Sequence, residues 1–215
     1  MDNSTLFPAQ PDDTRTEMLK ATYAALQKHG YTALTIDDID EEFPKSKSLI
    51  YQYYDSKDEL LTDFLAYMLE HFESETHEEN QLDPRERLRN LIDDTLSSAQ
   101  NSEMGAFMRA MVALRGQAVY NEEFRTQFTE ADRVFLSHIE NIIEDGIESE
   151  QFDDVETTPI AEFLLVTIHG FLVRRSTTDG DVDGTAVRRE IDEYLGTRLG
   201  LSEDDSETTD GESHK

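Results

Sequence analysis

Apolar residues recur along this chain at intervals of three and four, and no stretch shows the apolar-polar alternation of a strand. Leu19, Tyr23 and Leu26, with Ala25 alongside, form one face of a first helix; it opens where Thr14 and Glu17 have capping-box spacing and ends at Gly30. A short second helix from Thr35, with Asp38 three residues on, buries Ile36, Ile39 and Phe43 and is stopped by Pro44. Ser46 is placed to cap a third, through about Tyr53, and Asp55 or Ser56 a fourth whose face is Leu61, Phe64, Leu65, Met68 and Phe72. Asp83 and Pro84 open another helix, with Leu88, Leu91, Ile92 and Leu96 inward, and Met104, Phe107, Met108 and Met111 mark the next. Phe124, Phe128, Ala131, Phe135, Ile139, Ile142 and Ile143 define a long one. Pro159 then opens a segment apolar nearly all round, from Ile160 to Val173, as expected of a helix covered on most sides. Val187, Ile191, Leu195 and Leu199 complete the set. The pattern predicts an all-α fold of about nine helices.

The first three helices have a recognisable order. Two short helices joined by a turn of three or four residues, after a longer supporting helix, make a helix-turn-helix, whose second short helix can enter the major groove of DNA. Many small helical domains share that spacing, so periodicity alone does not assign the function.

Charge bears directly on this reading. The formal net charge is -29 at pH 7, which argues against a phosphate partner, yet five of the six lysines lie within the first 57 residues (Lys20, Lys28, Lys45, Lys47 and Lys57). Acidic residues cover the rest, including a tail after Leu201 made almost wholly of Asp, Glu, Ser and Thr. Such composition, rich in Asp and poor in Lys, resembles that of proteins from organisms with molar cytoplasmic salt; the alternative is an acidic interaction protein from an ordinary cytoplasm. Cysteine is absent, which excludes disulfides and thiolate metal sites, and no N-terminal apolar run resembles a signal peptide. The expected setting is cytoplasmic, with no membrane partner.

The residues themselves carry a resemblance. Gly30-Tyr31, Thr35-Ile36-Asp37-Asp38-Ile39 and the run from Ser46-Lys47-Ser48-Leu49-Ile50-Tyr51 through Ser56-Lys57-Asp58-Glu59-Leu60 closely resemble, without a gap, the DNA-binding domain of the TetR/AcrR family of transcriptional regulators. Residues 1–13, without periodicity and with two prolines, are expected to be a disordered arm, and the resemblance implies 14–60 as an N-terminal three-helix helix-turn-helix domain and 61–200 as a C-terminal helical ligand-binding and dimerisation domain. Residues 201–215 would be an acidic disordered tail.

It also implies roles. Thr35 would cap the second helix and touch a phosphate, or only cap it. Lys47 and Tyr51, four apart on one face, would meet phosphates; Ser48, Leu49 and Gln52 would face base edges, with Gln able to pair with adenine. Lys57 would meet the backbone, and Ser46 and Lys45 lie in the same contact region. Pro44-Lys45 stands where the family commonly has Gly-Val, and Asp40 and Phe43 where it has Ala; proline biases Phe43 away from helical geometry, while Lys45 adds a charge able to face DNA. At roughly 1 M salt the screening length is about 3 Å, so short hydrogen bonds and apolar contact must carry binding.

In the C-terminal part the resemblance implies a homodimer built on the last two helices, with Phe163, Val166, Ile168, Phe171, Ile191 and Leu195 at the interface. Two reading heads would sit on a palindromic operator, released by a small apolar ligand in a pocket of Phe107, Met108, Met111, Phe128, Phe135, His138 and His169, residues that ordinary core packing also explains. No cofactor or metal is expected. His71, Glu75 and His77 share a helix and His138 stands near Glu140, but neither set has a recognised metal or acid-base spacing, so no enzyme is expected. The alternative function is a helical homodimeric module that no longer binds DNA specifically.

Overall fold

The computed structural model describes residues 7–8, 11, 13–79, 82–97, 102–179 and 182–201, and these form helices and connections only. The helices are α1 (Thr14–Ala33), α2 (Ile36–Glu42), α3 (Lys47–Tyr53), α4 (Lys57–Glu79), α5 (Pro84–Ser97), α6 (Ser102–Gln117), α7 (Glu122–Glu148), α8 (Thr157–Thr177) and α9 (Gly184–Leu199). The predicted acidic tail, apart from Leu201, lies outside the described residues.

Local chemistry explains most of the boundaries. α1 starts one residue earlier than the spacing predicts: Asp13, not Thr14, is the cap, and its carboxylate accepts from Thr16 N at 2.9 Å. Gly30 breaks α1 with φ 66°, a left-handed value that glycine adopts without a Cβ penalty. Thr35 and Asp38 form the full reciprocal capping box on α2. Ser46 occupies the cap position of α3 but its side chain accepts no backbone N–H of the helix; its Oγ instead hydrogen-bonds Ser48 Oγ at 2.9 Å. Ser56 Oγ accepts from Glu59 N at 3.1 Å to start α4. α8 begins two residues ahead of Pro159, which sits inside its first turn where a missing N–H costs nothing.

Two apolar cores hold the chain. One joins α1 to α4 with α6 and the start of α7, through Leu19, Tyr23, Leu26, Ile39, Ile50, Leu61, Phe64, Phe107, Leu114 and Phe124. The other joins α5, the later half of α7, α8 and α9 through Leu88, Ile92, Ile142, Ile143, Leu164, Phe171, Ile191 and Leu195. α7, 27 residues and so roughly 40 Å long, contributes to both.

Two sequence expectations change here. Phe7, assigned to a disordered arm, is 2% exposed; it stacks on Tyr67 with ring centroids 5.0 Å apart and tilts against Tyr23 at 5.9 Å. An isolated aromatic without periodic neighbours gives no pattern to read, although its apolar area drives it into the cleft between α1 and α4. α8 is not covered on most sides either: Phe163, Val166 and Val173 are exposed, Val166 at 65%.

Candidate nucleic-acid interface

The turn between α2 and α3 runs Phe43 to Ser46. Phe43 ends α2 with φ -90° and ψ 124°, the extended backbone that a following proline favours, and its ring is buried. Ile39, Phe43 and Ile50 are consumed in fixing the two short helices to α1, which leaves the opposite side of α3 to solvent. Tyr51 is 54% exposed there, and Ser46, Ser48 and Gln52 are exposed beside it. Lys47 and Tyr51 share one face, the ammonium 5.9 Å from the ring centre. Ser48 and Gln52, also four apart, form a second face carrying donors and acceptors of the kind that read base edges. Leu49, expected at the bases, is half-buried and packs on the head's core, so it does not join that exposed pair.

The cations of this surface are paired within the chain. Lys47 Nζ donates to Asp37 of α2, and that carboxylate raises the lysine pKa. Lys45 pairs with Glu17 and donates to Thr14 Oγ1 at 3.0 Å; Lys28 pairs with Glu42. Lys57, expected on the DNA backbone, is a tie within the head: its ammonium donates to Leu34 O at 2.9 Å and lies 4.8 Å over the Tyr31 ring. Thr35 is occupied in its capping box, with its Oγ1 2.7 Å from Asp38 Oδ2.

A polar hub that the sequence gives no hint of aligns the elements. Asp63 of α4 accepts from Arg15 Nε at 2.8 Å, Arg15 Nη2 at 2.6 Å and Tyr54 Oη at 2.6 Å, linking α1, the end of α3 and α4. Burial alone would raise the Asp63 pKa, but the bonds from Arg15 and Tyr54 outweigh it and hold the carboxyl below its ordinary value. Burial, and then the adjacent Asp63 charge, push the Tyr54 hydroxyl well up, so it stays a donor. The three partners are separated by 9 and 48 positions, beyond the reach of any local pattern.

The residues expected to line a ligand pocket separate into groups. Phe107 lies in the first core, 4.8 Å from the Tyr23 ring, with Met108 and Met111 packed against that core and Phe128 buried in it. Phe135 and His138 surround Phe72 at 4.2 and 5.5 Å. Burial, with Arg87 nearby, lowers the His138 pKa to about 4, which keeps the ring neutral. His169 of α8 faces Asp132, its Nε2 3.9 Å from a carboxylate held by both Arg115 nitrogens at 2.6 and 3.0 Å, and Arg115 lies 4.7 Å over Phe128. A surface groove of about 890 Å³ between α7 and α8 is lined elsewhere, by Glu144, Glu148, Asp154, Glu156 and Glu162 among others. Among the described residues no group of three or more His, Asp or Glu is placed to hold a metal. No helix among them is long and apolar enough to cross a membrane.

The residues expected at a subunit interface also divide. Ile168, Phe171, Ile191 and Leu195 are buried inside the chain itself, so they have almost no surface to offer a second copy. Phe163, Val166 and Val173 are exposed, with Gly170 between them at helical spacing on the outer side of α8. Helical periodicity marks both faces of α8 as apolar and cannot say which one the chain's own core takes.

Comparison with known proteins agrees with this architecture. Residues 18–63 match the model of bacterial regulatory proteins of the tetR family, and residues 84–200 match the BetI-type transcriptional repressor C-terminal model. A TetR transcription regulator from Haloarcula marismortui is 34% identical, covers 86% of this chain and 97% of its own, and superposes with a TM-score of 0.76. A transcriptional regulator from Saccharomonospora viridis, solved with choline, is 20% identical over 88% of this chain and 98% of its own, with a TM-score of 0.71. FadR from Bacillus subtilis, solved with stearoyl-CoA, is 18% identical over 83% and 96%, with a TM-score of 0.65. No curated protein shows a significant sequence match to the chain.

Proposed function

The chain belongs to the TetR family of DNA-binding transcriptional regulators, and from that premise we propose that it acts as a homodimeric cytoplasmic repressor that leaves a palindromic operator when a small ligand binds. The observation that carries the DNA-reading part is the free side of α3, where Lys47 and Tyr51 lie on one face and Ser48 and Gln52 on the next. The first pair would engage phosphates and set the depth of insertion; the second would read base edges. Lys45, next to the turn, would reach the flanking backbone, and Thr35 supports the reading chiefly by fixing the start of α2.

Binding of the purified protein to the DNA upstream of its own gene, titrated with potassium chloride, tests this. Lys47→Glu or Tyr51→Ala should weaken sequence-specific binding at least tenfold and leave the helical circular dichroism and the oligomeric mass unchanged. Equal affinity of both variants and the parent would remove α3 as the reading element. Binding without sequence preference at any salt would favour a helical interaction module instead.

The exposed apolar side of α8 supports the dimer. Phe163, Val166 and Val173 leave large apolar areas in water, and Gly170 permits close approach of a second helix. Phe163 packs on Tyr194 of α9 with rings 4.1 Å apart, which would extend the contact to both helices. Val166→Asp should convert the dimer to a folded monomer, read as a halving of mass by light scattering at micromolar protein. A dimer that survives this change would place the interface elsewhere.

For the effector, the supporting feature is the junction of α6, α7 and α8, where Phe128, Arg115, Asp132 and His169 bring an apolar wall against polar groups. Choline and stearoyl-CoA, bound by two structural relatives, are chemically unlike one another, and neither is assigned to this chain.

A further inference from the structure

Each lysine of the head has a partner inside the same chain. Lys20 donates to Pro8 O, Lys28 pairs with Glu42, Lys45 with Glu17, Lys47 with Asp37, and Lys57 donates to Leu34 O. The Asp37 pair differs from the others in two respects. Its lysine stands on the exposed side of α3, in the first turn of the helix proposed to enter the groove. Its carboxylate is 75% exposed, against 24% for Glu42 and 21% for Glu17, so it can part from Lys47 without disturbing the core. Such an exposed pair is worth little and exchanges readily.

On the reading that α3 lies in the major groove, we infer that Asp37 is an intramolecular stand-in for a DNA phosphate, holding Lys47 in the free protein and yielding it to the duplex on binding. The exchange has a thermodynamic signature. A lysine that is free beforehand releases about 0.9 of a condensed cation when it meets a phosphate. Here the same contact also strips Asp37 of its counter-charge beside a phosphate chain, and that carboxylate gathers a cation from solution. Release and uptake largely cancel, so Lys47 adds affinity while adding almost nothing to the salt dependence. Asp37 is thereby the residue that makes operator binding tolerant of salt, at the expense of affinity when salt is low.

The test compares salt dependences on a duplex carrying the region upstream of the chain's own gene. Asp37→Asn should tighten binding by about fivefold at the lowest salt. It should also steepen the slope of log K against log potassium chloride by about 0.9, so that the variant and the parent converge as salt rises. Glu41→Gln removes a carboxylate from the same helix outside the pair and should leave the slope unchanged. In a Lys47→Ala background the effect of Asp37→Asn on the slope should largely vanish. Slopes identical for Asp37→Asn and the parent, an equal change from Glu41→Gln, or a change that persists without Lys47 would each overturn the inference. A parent that binds no duplex selectively would remove the function beneath it, whereas selective binding with unaltered slopes removes only the role of Asp37.

Discussion

Asp63→Ala should destabilise the protein by about 2–4 kcal/mol and abolish operator binding, a large effect for a residue that is a quarter exposed. The carboxylate takes two bonds from Arg15 and one from Tyr54, whose side chain is buried. Its removal leaves a buried hydroxyl without an acceptor and a guanidinium without a counter-charge, and it unties α1, α3 and α4 together. Asp63→Asn keeps the shape and one acceptor oxygen, so its cost should be about half as large. Urea unfolding at fixed salt would measure both; a shift equivalent to less than about 1 kcal/mol for the alanine variant would show that apolar packing alone aligns the head. The pH dependence has a definite sign. Because the folded state depresses the Asp63 pKa, its stabilisation is present above the ordinary carboxylate value and declines as pH falls through the lowered one. The alanine variant should therefore lose less stability on acidification than the parent.

Two glycine-to-alanine changes within helices should have opposite signs. A Cβ on Gly146, near the end of α7, would lie 2.1–2.7 Å from ring atoms of Phe152. That ring cannot simply move aside. It is 5% exposed, and its own backbone N is held to Gly146 O at 3.0 Å. Gly146→Ala must push Phe152 out of the second core or strain the turn, at about 2–3 kcal/mol, against which the gain in helix propensity is about 1 kcal/mol. On Gly116, near the end of α6, a Cβ meets nothing within 4 Å, so Gly116→Ala should be neutral or stabilising by up to about 1 kcal/mol. Thermal melts of the two variants at one salt concentration decide the matter. Equal shifts would mean that Phe152 accommodates the methyl, and that the turn after α7 is looser than its packing indicates.

How far the sequence revealed this structure depended on how far apart the interacting residues lie. Helices declared themselves because their evidence is local: Thr35 with Asp38, and a run of apolar residues every three or four positions. Misplaced caps were one-residue errors of the same kind, as with Asp13 for Thr14. What escaped was non-local. Asp37 and Lys47 are ten residues apart on separate helices, and Asp63 draws on Arg15 from 48 positions away. Nothing in either neighbourhood announces the pair. The expected interface residues divide for another reason: Ile168 and Val166 are both apolar, and only the packing of α8 on its neighbours α6 and α7 decides which one faces inward. The exposed side of α3 was clearest, because Ser48, Tyr51 and Gln52 are polar or amphipathic residues on a helix whose other side is used by Ile50 and Leu49.

The first core crosses the boundary that the helix-turn-helix pattern suggests. Tyr23 rests on Phe107 of α6 and Tyr31 on Phe124 of α7, so residues 14–60 do not enclose their own apolar interior. A hybrid regulator that transplanted only that stretch onto a foreign effector domain would expose these aromatic faces to water. Recombination between relatives would succeed only if α6 and the first turns of α7 travelled with the N-terminal helices, because the two stretches share one apolar interior.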